Sequence, residues 1–130
     1  MDELESIRKK KMEELQRTLQ ERQFPATVIT LNDSDLERYV SQYPLMVVDC
    51  WAQWCGPCRT LSPIIDQLAG ELQGKVVFGK LNVDENKATA VNFGISSIPS
   101  MLVFKQGKLV DRIIGAVPRQ RIIEKLQPFM

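Results

Sequence analysis

The chain has no histidine among its 130 residues, and only three cysteines. The absence of histidine removes every Cys-His and Ser-His nucleophilic mechanism at once, together with the commonest metal ligand. A structural zinc site needs four ligands, usually from two CxxC-like or Cys/His pairs. One such pair is present, Cys55 and Cys58, and the third cysteine, Cys50, stands close before it. No metal and no bound cofactor are therefore expected. Charge of one sign is also lacking. A net charge of +1 gives no electrostatic case for nucleic acid or an anionic membrane. No window approaches the roughly 18 consecutive apolar residues of a membrane helix. The N-terminus, MDELESIRKKK, lacks the apolar segment of a secretory signal. The expectation is a cytoplasmic protein, where a disulfide is more often catalytic than structural.

Residues 1–23 lack glycine and proline and carry six acidic and six basic side chains. Leu4, Ile7, Met12, Leu15 and Leu19 recur on one side at about 100° per residue, in a stripe roughly 140° wide. This predicts an amphipathic helical extension, either solvated and resting on the domain or docking a partner. Phe24-Pro25 ends it. From 24 to 130 strands and helices alternate. ATVITL (26–31) reads as a strand, and Asp33 and Ser34 as caps of a helix to about Gln42. LMVVDCW (45–51) is an almost unbroken apolar run, suited to a strand covered on both faces. Leu61, Ile64, Ile65, Leu68 and Leu72 predict a helix that Pro63 should kink. VVFGKLNV (76–83) is a strand, 85–93 a short helix, and SMLVFK and LVDRII a hairpin about Gln106-Gly107. Pro118 opens a last helix. The class is α/β, with a parallel core and an antiparallel edge.

Cys55 and Cys58 fall where the buried strand ends and a helix begins, with Gly56 in the turn and Pro57 at the first helical position. Free backbone N–H groups and the positive helix end stabilise a thiolate there. The expectation is an exposed nucleophile, Cys55, and a more enclosed resolving thiol, Cys58. Lowering a thiol pKa from about 8.5 to about 7 raises the thiolate fraction at neutral pH from roughly 3% to roughly 50%. The same change lowers nucleophilicity about fivefold, so the net gain is only about threefold. A second thiol and an acceptor for its proton must contribute as well. Asp49 is the candidate acceptor, since a carboxylate inside that strand loses hydration and its pKa should rise. The alternative is a structural aspartate paired with Lys80 or backbone donors. Alternation places Asp49 and Trp51 on one side of the strand and Cys50 on the other.

In order along the chain stand VVDCWAQWCGPC, the proline of RTLSPIIDQLA, KLNVDEN, NFGISSIPSMLVFKQG and the glycine of RIIGAVP. With these pieces, residues 26–130 resemble thioredoxin almost end to end. The resemblance implies the thioredoxin fold, a mixed five-stranded sheet flanked by helices, here with an extra N-terminal helix. It implies a protein-disulfide reductase, an electron carrier in cell redox homeostasis. Its partners would be disulfide-containing proteins and a thioredoxin reductase. It makes Cys55 the attacking and Cys58 the resolving thiol, matches Asp49 to the family's buried aspartate and Lys80 to the lysine beside it, and favours proton transfer as the role of Asp49. Pro99 falls on the family's cis-proline, and the backbone of Ile98 should pair with an extended substrate segment. Trp54, Gly56, Pro57, Ile98, Pro99, Gly115 and Ala116 would form a flat apolar rim around Cys55. For Trp54 the plainer reading is a core aromatic, and for Gly115 a strand-end turn.

Two features depart from the family pattern. Cys50 stands where a large aromatic or aliphatic residue is usual and is read as a buried, inert thiol, the alternative being a redox-regulatory one. The extension is not needed by a compact family core. The domain is expected to be a monomer, with the extension as the surface for any association. The rival functions are an oxidase or isomerase on the same fold and a binding or scaffold module. Gly-Pro between the cysteines resembles the reducing branch. Oxidising relatives usually carry a histidine there, and glutaredoxins typically Pro-Tyr.

Overall fold

The computed structural model describes residues 2–130, with backbone only for residues 20–23. Its elements are α1 (Glu3–Gln23), β1 (Ile29–Leu31), α2 (Leu36–Gln42), β2 (Leu45–Trp51), α3 (Gly56–Glu71), β3 (Val77–Asn82), α4 (Lys87–Asn92), β4 (Ser100–Lys105), β5 (Lys108–Ile114) and α5 (Arg119–Leu126). The strands form one sheet in the order β1-β3-β2-β4-β5. β1 and β2 run parallel to β3, while β4 is antiparallel to both β2 and β5. The expected parallel core and antiparallel edge are thus present, with β2 at the centre.

Every residue of β2 except Trp51 is buried, because both faces of the sheet are covered. Leu45, Val47, Phe78 and Met101 pack with Leu61, Ile65 and Leu68 of α3 and Ile122 and Leu126 of α5. Met46, Val48, Cys50 and Leu102 pack on the other face with Leu36 and Val40 of α2. The period of two that separates these sets puts Asp49 on the α3 face and Cys50 on the α2 face, as alternation predicts. Phe78 is 1% exposed and is among the largest fully buried side chains. Phe78→Ala should cost about 3–5 kcal/mol of stability, measurable as a lower midpoint in urea denaturation.

Several boundaries differ from the sequence reading, three of them with a cause visible in the fold. β1 is three residues long rather than six, since only Ile29, Thr30 and Leu31 pair with β3. Val28 instead packs against the α3-side core. α4 starts at Lys87 rather than 85 because the Asn82 side chain accepts from the Asp84 and Glu85 N–H groups and holds a turn. The third difference is a cap. α2 begins after Asp35, whose side chain makes no bond to the helix start. Asp33 caps α4 from a distance, accepting from the N–H of Ala88, 3.3 Å, and of Thr89, 2.9 Å, and from the Thr89 hydroxyl. Those hydrogen bonds hold the Asp33 carboxyl below its ordinary pKa, the Thr89 hydroxyl contributing most.

α1 begins on Asp2, whose Oδ1 accepts from the Glu5 N–H at 2.8 Å. Its five apolar residues are all exposed, and none enters a core cluster; among the described residues the first to pack against one is Phe24. No helix among the described residues is long and apolar enough to cross a membrane.

Candidate functional site: the Cys55–Cys58 disulfide

β2 delivers the chain to the edge of the core at Trp51, and a short turn leads to Cys55, the N-cap of α3. Gly56 and Pro57 occupy the first two helical positions, so the helix starts one residue earlier than expected. Proline is tolerated there because its missing N–H would have no intrahelical partner. The helix continues through Pro63 to Glu71. Cys55 and Cys58 are joined in a disulfide, their Cα atoms 5.3 Å apart. The Cys58 N–H donates to Cys55 Sγ at 3.2 Å. The helix terminus therefore points a donor and its positive dipole at this sulfur, where charge develops when the disulfide opens.

Cys55 Sγ lies 3.8 Å from the Ile98 carbonyl oxygen. In the disulfide this is a contact only, since the sulfur carries no proton; in the dithiol the distance suits a weak S–H donor. The expected contrast in exposure is not present in this state. Cys55 is 4% and Cys58 3% exposed, and both pack with Ala52 against Trp51, Val83 and Ile98.

The Ile98–Pro99 peptide is cis, in agreement with the expectation for Pro99. The Pro99 carbonyl accepts from the Gly115 N–H at 2.8 Å, which ties the two loops of the rim together. Gly115 follows the last residue of β5 with φ +92, a conformation that an L side chain rarely adopts, so it is a strand-end turn as well as a neighbour of Pro99. Trp54 is 70% exposed, which excludes the core-aromatic reading. Its Nε1–H donates to Asp84 Oδ2 at 2.8 Å, and this holds the ring against the surface. Gly56 and Ala116 are exposed, and Pro57 lies at the surface beside them.

Beneath the disulfide is a cavity of about 150 Å³ lined by Asp49, Trp51, Cys58, Arg59, Ser62 and Lys80, among others. Asp49 is 4% exposed, and its Oδ1 and the Trp51 Nε1 are buried without a hydrogen-bond partner among the described residues. Burial pushes the Asp49 pKa from 3.8 up to about 7, the Lys80 ammonium opposing and the Asp66 carboxylate reinforcing that rise. Asp49 and Lys80 are register partners across β2 and β3. Lys80→Met should therefore raise the Asp49 pKa further, and Asp66→Asn should lower it. Carboxyl ¹³C shifts followed through a pH titration measure both directions.

Arg59, Ser62 and Asp66 were not singled out from the sequence. The signal available was spacing: Cys58, Ser62 and Asp66 follow one another at four-residue intervals and so share a face of α3. Arg59 is different. Its guanidinium donates to the Gln53 carbonyl at 2.8 Å and braces the turn before Cys55, a contact that no periodicity announces. Cys50 is 0% exposed on the opposite face, and burial, then the Asp49 charge, pushes its thiol up to about 12. It is free and buried, as the sequence suggested. Among the described residues no group of three or more His, Cys, Asp or Glu is placed to hold a metal ion.

The thioredoxin family model matches residues 27–128. The chain belongs to the thioredoxin family. Among curated relatives, thioredoxin 2 of Chlorobaculum tepidum is 55% identical over 80 residues, which cover 62% of this chain and 73% of the relative. A thioredoxin of Haemophilus influenzae is 44% identical over 97 residues, covering 73% and 90%. The chloroplastic M-type thioredoxin of Pisum sativum is 48% identical over 105 residues, covering 79% of this chain and 60% of the relative. A mutant thioredoxin from Halobacterium salinarum NRC-1 superposes with a TM-score of 0.76 at 26% identity, covering 82% of this chain and 93% of the other. With family membership and a disulfide-forming CGPC pair, the chain is a thiol–disulfide oxidoreductase of the protein-disulfide reductase type, and the redox-active disulfide makes it an electron carrier. α1 lies outside the matched segment.

Proposed function

We propose that the chain reduces disulfides of other proteins in a reducing, cytoplasmic setting, with residues 24–130 as the redox domain and 1–23 as an appended helix. The observation that carries the mechanism is the shared cavity: Cys58 and Asp49 both border it, and Asp49 titrates near neutrality. Cys55 Sγ, as thiolate, attacks one sulfur of a substrate disulfide and expels the other as a thiolate. The resulting mixed disulfide joins Cys55 to the substrate. Cys58 then gives its proton to the Asp49 carboxylate across the cavity, which has room for several water molecules at about 30 Å³ each. Its thiolate attacks Cys55 Sγ, releases the second substrate sulfur, and closes the Cys55–Cys58 disulfide. Two electrons have passed to the substrate. A thioredoxin reductase supplying two electrons would reopen the pair.

In this reading Lys80 and Asp66 bracket the Asp49 pKa from opposite sides and keep it near the working pH. The rim of Trp54, Gly56, Pro57, Ile98, Gly115 and Ala116, with Pro99 buried behind it rather than exposed in it, receives an extended substrate segment. At Gly56 and Gly115 an added Cβ would meet nothing within 4 Å. At Gly56 the glycine therefore leaves open the space that a partner's backbone would occupy.

An equilibrium titration against dithiothreitol, followed by Trp51 and Trp54 emission, tests the reading. A single two-electron transition well below the glutathione pool supports a reductase. A much more oxidising transition moves the chain to oxidase or isomerase chemistry, and the lack of any reversible pair leaves a binding module.

A further inference from the structure

α1 is a helix of 21 residues, about 32 Å long at 1.5 Å per residue. Its apolar stripe is in solvent: Leu4 is 57%, Ile7 44%, Met12 59%, Leu15 56% and Leu19 49% exposed. Those five are half of the ten large hydrophobic side chains exposed among the described residues, gathered on one helix that no core cluster includes. Most helices draw their stability from burial of such a face. The stripe reads nearly the same in both directions, since its spacings from Leu4 are 3, 5, 3 and 4, and from Leu19 are 4, 3, 5 and 3.

We propose that α1 pairs with α1 of a second copy in an antiparallel arrangement. Leu4 of one copy then lies level with Leu19 of the other, and Ile7 close to Leu15. The charges select this direction. At 100° per residue Glu3, Lys10, Glu14 and Arg17 line one flank of the stripe and alternate in sign along it. In an antiparallel pair the same flank of both helices meets. Lys10 comes within about one residue of level with Glu14 of the second copy, and Glu3 within one turn of Arg17, each twice by symmetry.

A parallel pair loses these matches, because that flank would then meet the opposite one, which carries Glu5, Lys9 and Gln16, and Lys10 would come nearly level with Lys9 of the second copy. It also sets Arg8 and Lys11, which interrupt the stripe, beside their own copies. The antiparallel pair moves Arg8 about 10 Å from its copy, level with Leu15. Lys11 stays close to its copy, with Glu14 of the second copy within reach of its long side chain.

Sedimentation velocity of the full chain, with the cysteines reduced, tests the pairing up to millimolar concentration. A reversible dimer that Leu15→Glu abolishes is the expected result, with circular dichroism verifying that the variant keeps its helix. Lys10→Glu and Glu14→Lys should each raise the dimer dissociation constant about tenfold, since each turns two attractive pairs into repulsive ones. Combining the two restores opposite charges across the antiparallel pair and should return the constant to within about twofold of the parent. A chain that stays monomeric throughout overturns the proposal. So does a double variant no tighter than the single ones; circular dichroism of all three variants separates the pairing from the contact that Lys10 and Glu14, four residues apart, make within one helix.

Discussion

Cys58→Ser should convert the protein from a catalyst into a trap. Cys55 keeps its place at the N-cap of α3, where the backbone N–H of residue 58 still points at its sulfur, 3.2 Å away in the parent. The first exchange with a substrate disulfide therefore proceeds. The second needs a thiol at position 58, which a hydroxyl with a far higher pKa does not replace. A covalent Cys55–substrate adduct accumulates, and turnover with a protein disulfide should fall by at least about a thousandfold, since the intramolecular thiol acts at a very high effective concentration. Mass spectrometry under non-reducing conditions detects the adduct. Cys55→Ser loses turnover equally but forms no adduct, because the N–H and positive end of α3 that favour a thiolate point at position 55 and not at Cys58, and Cys50 is buried on the far face of β2. Equal trapping by both variants would overturn the assignment of roles.

Asp49→Asn should have two effects of opposite benefit. The first is on stability. Burial disfavours the charged carboxylate, so the folded-state pKa of about 7 lies above the ordinary value of 3.8. Between those values the native state holds a proton that the unfolded chain has released, and stability is lost as pH rises through that window. The full difference corresponds to about 4 kcal/mol, as an order of magnitude. Asn, with no charge to bury, should flatten the decline between pH 4 and 7 and leave the variant more stable than the parent at pH 8. Urea midpoints at a series of pH values measure this. The second effect is on catalysis. The parent's resolving step should accelerate with pH up to about 7 and then level off as Asp49 becomes fully ionised. Without the carboxylate that inflection disappears and the step slows by about a hundredfold at neutral pH, the scale of a general base. A variant with an unchanged pH profile would remove Asp49 from the mechanism.

Much of this site was legible because its parts are marked by residue type. A carboxylate inside an apolar strand, two cysteines at a helix start and a proline before a strand stand out against their surroundings. The alternation of β2 also separates Asp49 from Cys50 without any structure. What periodicity does not report is the neighbour across a gap. Asp33 sits where a cap of α2 belongs, yet it caps α4, because the loop after β1 and the start of α4 meet only when both strands are in the sheet. Asp84 gives no local sign that it will hold Trp54. The shelter over Cys55 comes from Ile98, forty-three residues away, and could not be read from a helix N-terminus alone.

The burial of Cys50 has a practical consequence. A chain with three cysteines behaves in its native state as a dithiol: a thiol-specific reagent should count two groups in the reduced protein and none in the oxidised one. The third is released only when the α2 side of the sheet opens. Cys50 is thus an internal clock for unfolding, and its labelling rate in the oxidised protein reports how often that layer comes apart while the redox pair stays silent.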